Sequence, residues 1–466
     1  MLDDSAHSLF HILKWLVLST LVGVVVGVLD GAFLKLLDFT IGTRNTVPYF
    51  YVVLPFALYV IALLSRKVAK PHKDYSTDAV IKRINTYRTI SLWSAAKTFF
   101  LSIATIAVGG SAGKEAPCAD TGAGVSAWVA RLLKLSPQDQ RKMMICGVSA
   151  GFAGVFGVPV SGALFGLEVL WVGHIFYEVM FPALVAGITS FAVTSYLGVN
   201  YLYHPLAFSP VFSELFFLKV IVAGVFFGLV SVLFIEISKL ARVVFRFVTV
   251  HRGMFWTCML GGLVLVLIGH FSSTLYLGLG MAGIDGPING APLHSPFGFL
   301  YKIITTSITL AVGGIGGIVT PIFFVGAQAG AMLSAFLRVD SATLAALGLV
   351  AVLAGTANTP LAASIMAIEL FGAAIAPYAT VACVISFLVT GRQSIFPHQR
   401  ISISSGKMEE PAQPVYQGPH RRRADRAQLP SHTTVTTQMR RRLKRFWPGR
   451  SERRAALEHA RERLKK

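Results

Sequence analysis

From His11 to Thr390 the chain keeps returning to apolar runs: WLVLSTLVGVVVGVL, FYVVLPFALYVIALL, FLKVIVAGVFFGLVSVLFI and TCMLGGLVLVLIGH. Runs of this length, so poor in charge, partition into a bilayer. No water is present there to take up main-chain N–H and C=O groups, so each segment must satisfy its own backbone. Helices do this, and an all-α polytopic membrane protein is expected. Charged residues make up only 14% of the chain, against about 25% in soluble domains. The start, MLDDSAHSLFHILKW, has two aspartates where a secretory signal carries basic residues. The first apolar run therefore reads as a retained helix.

Many of the segments are short or interrupted. VSAGFAGVFGVPVSGALFGLEVL contains Gly151, Gly154, Gly157, Pro159 and Gly162. Transporters built from discontinuous helices have this texture. At roughly 20 residues per full span, with shorter pieces between, roughly fifteen to eighteen helical segments are expected. The interruptions also repeat. AVGGSAGKEAP at 107–117 aligns with AVGGIGGIVTP at 311–321, an offset of 204 residues. GVSAGFAGVFGVPVSGALFGLEVL at 147–170 aligns with GLVAVLAGTANTPLAASIMAIELF at 348–371, an offset of 201. Gly147 then falls on Gly348, Gly154 on Gly355, Pro159 on Pro360 and Glu168 on Glu369. Two pairs in one order at nearly one spacing imply a duplicated architecture, with one copy over about 10–200 and the other over about 210–400. Inverted repeats are the usual transporter arrangement.

Each copy has a Gly-rich turn ending in a proline, Pro117 or Pro321, where a helix opens. The first N–H groups of a helix lack internal partners and sit at its positive end. Two such ends meeting inside the bilayer would hold a small anion without a full positive charge, weakly enough to release it. A nucleotide-binding loop is excluded. Gly113-Lys114 resembles the end of G-x-x-x-x-G-K-[ST], but the first Gly position is Val108 and the Ser/Thr position is Glu115. Glu115 has two readings that the residues alone leave level. It caps a helix, or its carboxylate imitates the anion and gates the site. Ser76-Thr77-Asp78 opens STDAVIKRI, which reads as a capped, short, polar surface helix.

These motifs resemble the CLC family of chloride channels and proton-coupled anion exchangers. G-K-E-A-P at 113–117 is similar to the family's G-[KR]-E-G-P, and G-I-V-T-P at 317–321 to its G-x-F-x-P, with Ala116 and Val319 as departures. The resemblance covers most of residues 10–400. It implies a CLC-like inverted repeat, a gating role for Glu115, and anion binding by the main-chain amides of Ile318 and Val319 beside Gly113 and Lys114. Lys97 falls near a basic position common in the family; a snorkelling lysine is the alternative. The family's anion-coordinating serine falls on Ser76 or Tyr75, where both flanking glycines are missing. Its tyrosine hydroxyl is replaced by Phe396 in GRQSIFPHQR. The internal proton-transfer glutamate of many exchangers is Val169 here. A valine cannot relay a proton, which favours a passive chloride channel or uniporter. A proton-coupled exchanger of chloride or fluoride is the alternative. Glu168 and Glu369 suggest a shared packing or hydrogen-bonding role.

The tail from 401 to 466 carries 17 Lys+Arg and 6 Asp+Glu, a net +11. By the positive-inside rule it is expected in the cytoplasm, and the protein in the plasma (inner) membrane. Its length leaves no room for the paired CBS domains of larger relatives. Membrane lipid is a possible contact for its basic residues; nucleic acid is not expected. Gly23, Gly27 and Gly31 mark a close-packing face, read as internal to the chain. The resemblance implies a homodimer. Cys118, Cys146, Cys258 and Cys383 form no C-x-x-C pair and read as packing residues. No cofactor or metal is expected. An intramembrane enzyme is disfavoured, since neither H-E-x-x-H nor G-x-S-x-G occurs.

Overall fold

A computed structural model describes residues 2–67, 77–86, 88–201 and 213–401. Ser76 and Tyr75 lie outside the described residues, as does the tail beyond 401. Among the described residues there are fifteen α-helices, as the interrupted apolar pattern predicts. The first copy comprises α1 (Leu2–Asn45), α2 (Leu54–Lys67), α3 (Thr77–Asn85), α4 (Leu92–Ala107), α5 (Glu115–Leu132), α6 (Pro137–Phe156), α7 (Pro159–Glu168) and α8 (Tyr177–Tyr196). The second comprises α9 (Glu214–Phe271), α10 (Ala282–Ile288), α11 (Gly298–Ala311), α12 (Val319–Leu337), α13 (Ser341–Ala357), α14 (Pro360–Phe371) and α15 (Ala376–Thr390). Helix α9 breaks at Gly253, whose φ of 86° suits glycine alone. A two-residue parallel pairing of β1 (Trp171–Val172) with β2 (Arg400–Ile401) ties the end of the second copy to the first. Among the described residues, five helices are long and apolar enough to cross a membrane.

The two copies pack alike. Helix α5 lies against α6 as α12 lies against α13, and α1 against α8 as α9 lies against α15. The helix crossings depend on glycine. A Cβ on Gly122 would run into the carbonyl oxygen of Gly147, and one on Gly326 into that of Gly348. The backbones therefore approach closely, as in small-residue membrane packing. Gly23 and Gly27 likewise face the α8 backbone at Ala186 and Ser190, and Gly31 meets Leu197. That stripe is internal, as expected. Matching stops recur: α6 ends on Gly157 with φ 73°, and α13 on Asn358 with φ 54°.

Helix starts are capped where they leave the apolar layer. Ser136 accepts from the Asp139 amide at 3.1 Å, and Asp340 from the Thr343 amide at 2.8 Å. Lys14 bonds Asp139 at 2.8 Å, so the starts of α1 and α6 share one face of the molecule, here called the Asp139 face. The reading of STDAVIKRI as a surface helix is corrected. Thr77, Val80, Ile81, Ile84 and Asn85 of α3 are all buried. The helix packs against α5 and α6, and Asp78 accepts from the His398 amide at 2.9 Å. Its polar composition disguised it, because Asp78 and the Asn85 amide take partners from the protein, Asn85 Nδ2 donating to Leu170 O at 3.1 Å.

Gly122→Val should destabilise the fold by about 1–3 kcal/mol through overpacking. The melting temperature in detergent should fall. Gly42→Val, where nothing lies within 4 Å of the added Cβ, should change it far less.

Candidate functional site

The two Gly-rich turns meet head to head. Gly113 and Gly317 form an antiparallel bridge, Gly113 N–H to Gly317 O at 2.7 Å and Gly317 N–H to Gly113 O at 2.8 Å. The bridge lies near a pseudo-two-fold axis. On either side the hydroxyls of Thr105 and Thr309, equivalent in the repeat, accept from the amides of Ile315 and Ser111, each at 3.1 Å. From the bridge α5 descends to the Asp139 face. Helix α12 starts beside it and runs the opposite way.

Glu115, first residue of α5, turns its carboxylate onto the start of α12. Oε1 accepts from Val319 N–H at 2.6 Å. Oε2 accepts from the Thr320 hydroxyl at 2.9 Å and from Thr320 N–H at 3.3 Å. Glu115 is 2% exposed. Thus the positive end of one broken helix is filled by a carboxylate from the other. Both glycines of the bridge are needed here, since a Cβ on Gly113 or Gly317 would strike that carboxylate.

The expected site residues fall as follows. Gly113 forms the bridge. Lys114 N–H points to the Thr320 hydroxyl at 3.4 Å, and its ammonium lies 5.8 Å from the centre of the Phe156 ring. Lys114 and Thr320 line a cavity of about 150 Å³ with Asp38, Tyr201 and Phe323. Most of its wall is apolar, with Lys114, Asp38, Asn200, Tyr201 and Thr320 as its polar groups. Ile318 caps α12, but the amides that hold the carboxylate are one residue on, at Val319 and Thr320. Phe396 is buried in the main core and brings no hydroxyl. Val169 is fully buried at the end of α7. Lys97 stays at the periphery of α4, its ammonium 5.3 Å from the centre of the Trp93 ring, which fits the snorkelling reading. Sequence reasoning missed Thr320. The signal was present, because Thr320 stands where the first copy has Ala116.

Glu168 and Glu369 have the shared role that their pairing suggests. Glu168 accepts from the amides of Leu361 and Ala362 at 3.1 and 2.8 Å, capping α14. Glu369 accepts from those of Val160 and Ser161, both at 2.9 Å, capping α7. Each copy supplies the carboxylate for a helix start in the other. Glu168 also lines a cavity of about 460 Å³ with Trp171, His174 and Tyr177. All four cysteines are buried thiols outside any disulfide.

A bridged pair of broken helices with a glutamate seated between them is a specific arrangement. The model of the voltage gated chloride channel family matches residues 56–391. The chain belongs to the CLC family. It is a multi-pass membrane protein of a family that moves small anions. It is 34% identical over 403 residues to a chloride/fluoride channel protein of Pseudomonas syringae pv. tomato, covering 84% of this chain and 88% of that one. The crystal structure of a CLC-type fluoride/proton antiporter superposes with a TM-score of 0.77 at 26% identity, covering 84% of this chain and 99% of that one. A slow cyanobacterial chloride/proton antiporter shares the fold, with a TM-score of 0.74 at 18% identity over 82% of this chain and 96% of that one.

Thr320→Val removes one donor to the seat. Halide affinity, measured by isothermal titration in a Glu115→Ala background, should fall about tenfold, the worth of one hydrogen bond to a charged group. Unchanged affinity would take the hydroxyl out of the anion site.

Proposed function

We propose that this protein is a proton-coupled exchanger of small halides, with fluoride the first candidate, gated by Glu115. One observation carries the reading. A titratable carboxylate occupies the donors of Val319 and Thr320 that an anion would use. Protonation removes its negative charge and loosens its hold. An anion then takes the amides, and deprotonation drives the exchange back. Proton and anion thus compete through one seat. The relative at 34% identity is named for chloride and fluoride, and the antiporter superposing at 26% identity exchanges fluoride for protons. A small, hard anion also suits the short bond, 2.6 Å, that the Val319 amide makes to one carboxylate oxygen.

A passive channel is the second reading. It rests on Val169, an apolar residue where many exchangers carry a proton-transfer glutamate, and on Glu168 being engaged as a helix cap. The Asp139 face is assigned to the cytoplasm, because Lys14, Lys142 and Arg400 cluster there and the net +11 tail follows Arg400. The inner membrane and a homodimer complete the proposal, both by family resemblance.

Liposomes holding the purified protein, under opposed halide and pH gradients, should give a reversal potential that depends on both. Glu115→Gln should abolish proton movement and flatten the rise of halide flux on acidification. A reversal potential set by the halide alone at every pH would mean passive conduction. An acid response that survives Glu115→Gln would remove Glu115 as the gate.

A further inference from the structure

The exchange proposed above needs protons from the cytoplasmic face, and Val169 cannot supply them. Another carboxylate lies on that side of the seat. Asp120 is five residues into α5 from Glu115, toward the Asp139 face, and is 5% exposed. One of its oxygens, Oδ1, is buried without a hydrogen-bond partner. It lines a small cavity between α3, α4 and α5 with Arg83, Ser94 and Thr98. The cavity is about 10 Å³, the room one water needs.

A run of hydroxyls leads from this corner toward the seat. Thr98, Ser102 and Thr105 occupy one face of α4 at helical spacing, all buried. The Thr98 hydroxyl donates to Ser94 O at 3.2 Å and lines the same cavity as Asp120. The Ser102 hydroxyl is buried with no partner. The Thr105 hydroxyl takes the Ile315 amide at 3.1 Å, two residues before the Gly113–Gly317 bridge.

A structural polar tie is the plain alternative, and the repeat weighs against it. At the offset of 204, Asp120 falls on Phe324 and Thr98 on Lys302. There a phenyl ring fills the corresponding corner, with the Lys302 ammonium 5.2 Å from its centre and bonded to Gly278 O at 2.8 Å. The architecture therefore accepts an apolar residue at this corner. Ser102 falls on Thr306, whose hydroxyl pairs with that of Ser111 at 2.8 Å. The counterpart of Ser111 is Ile315, which has no hydroxyl to give Ser102. The unpartnered oxygens of Asp120 and Ser102 thus arise where the copies differ.

We propose that Asp120 is the inner proton relay of this transporter, taking protons from the cytoplasmic side and passing them along the Thr98–Ser102–Thr105 face of α4 toward Glu115. The inference rests on the exchanger reading. Other charged or titratable groups on the surrounding elements are His11, Lys14, Asp30, Lys35, Asp38 and Arg44 on α1, Asp78, Lys82 and Arg83 on α3, Lys97 on α4, Glu115, Cys118 and Arg131 on α5, and Asp139, Arg141, Lys142 and Cys146 on α6. Of these, Arg83 alone lines the Asp120 cavity.

The test compares halide and proton flux in liposomes for wild type, Asp120→Asn and Asp120→Glu. Asp120→Asn should raise the halide-to-proton ratio at least about tenfold, the usual scale for a lost proton-transfer group. Asp120→Glu should restore it, which packing alone would not require. The dependence of proton flux on internal pH should flatten in Asp120→Asn, with the dependence on external pH kept. Wild-type coupling together with an unchanged ratio in Asp120→Asn overturns the relay and leaves the exchanger reading standing. A wild type that moves halide and no protons overturns both. Should Asp120→Asn fail to assemble, Thr98→Val carries the same test, and an unchanged ratio there overturns the relay.

Discussion

Two hydrogen bonds between Gly113 and Gly317 hold the centre of this molecule together. A helix that stops inside a bilayer leaves main-chain groups with no water to receive them. Here the turn before each broken helix pairs with its repeat equivalent, so each supplies what the other lacks. The threonines on either side repeat the exchange, Thr105 serving Ile315 and Thr309 serving Ser111. Once this junction is closed, the starts of α5 and α12 are brought together. The donors left over at α12 then face the one residue placed to use them, Glu115.

Symmetry builds the scaffold and departures from it build the chemistry. Gly122 and Gly326, Gly147 and Gly348, Glu168 and Glu369 do the same work in both halves. At the seat the copies diverge: Glu115 faces Val319 across the repeat, Lys114 faces Ile318, and Ala116 faces Thr320. One half supplies the carboxylate and the other supplies the donors. An identical pair would have placed two carboxylates or none at the junction.

Much of this was legible in the sequence because it rests on backbone. Apolar length, glycine at crossings and proline at helix starts are local constraints that leave local marks. The duplicated spacing exposed the junction and paired Glu168 with Glu369. What escaped was set by neighbours distant in the chain. Helix α3 reads as a surface segment because its polar groups find partners such as His398, more than 300 residues away. Thr320 was passed over because a hydroxyl beside a carboxylate is visible only once α5 and α12 are brought together.

The crossed helix caps have a mechanical consequence. Glu168 and Glu369 clasp α14 and α7 at opposite ends of their contact, through four main-chain bonds. Bonds to a charged group contribute about 1.5–3 kcal/mol each. Tilting one half against the other would break several at once, far from any ion. A rocking of the two halves would therefore be costly. The bonds of Glu115 to Val319 and Thr320 are separate from these four, so that carboxylate could leave its donors with both caps intact.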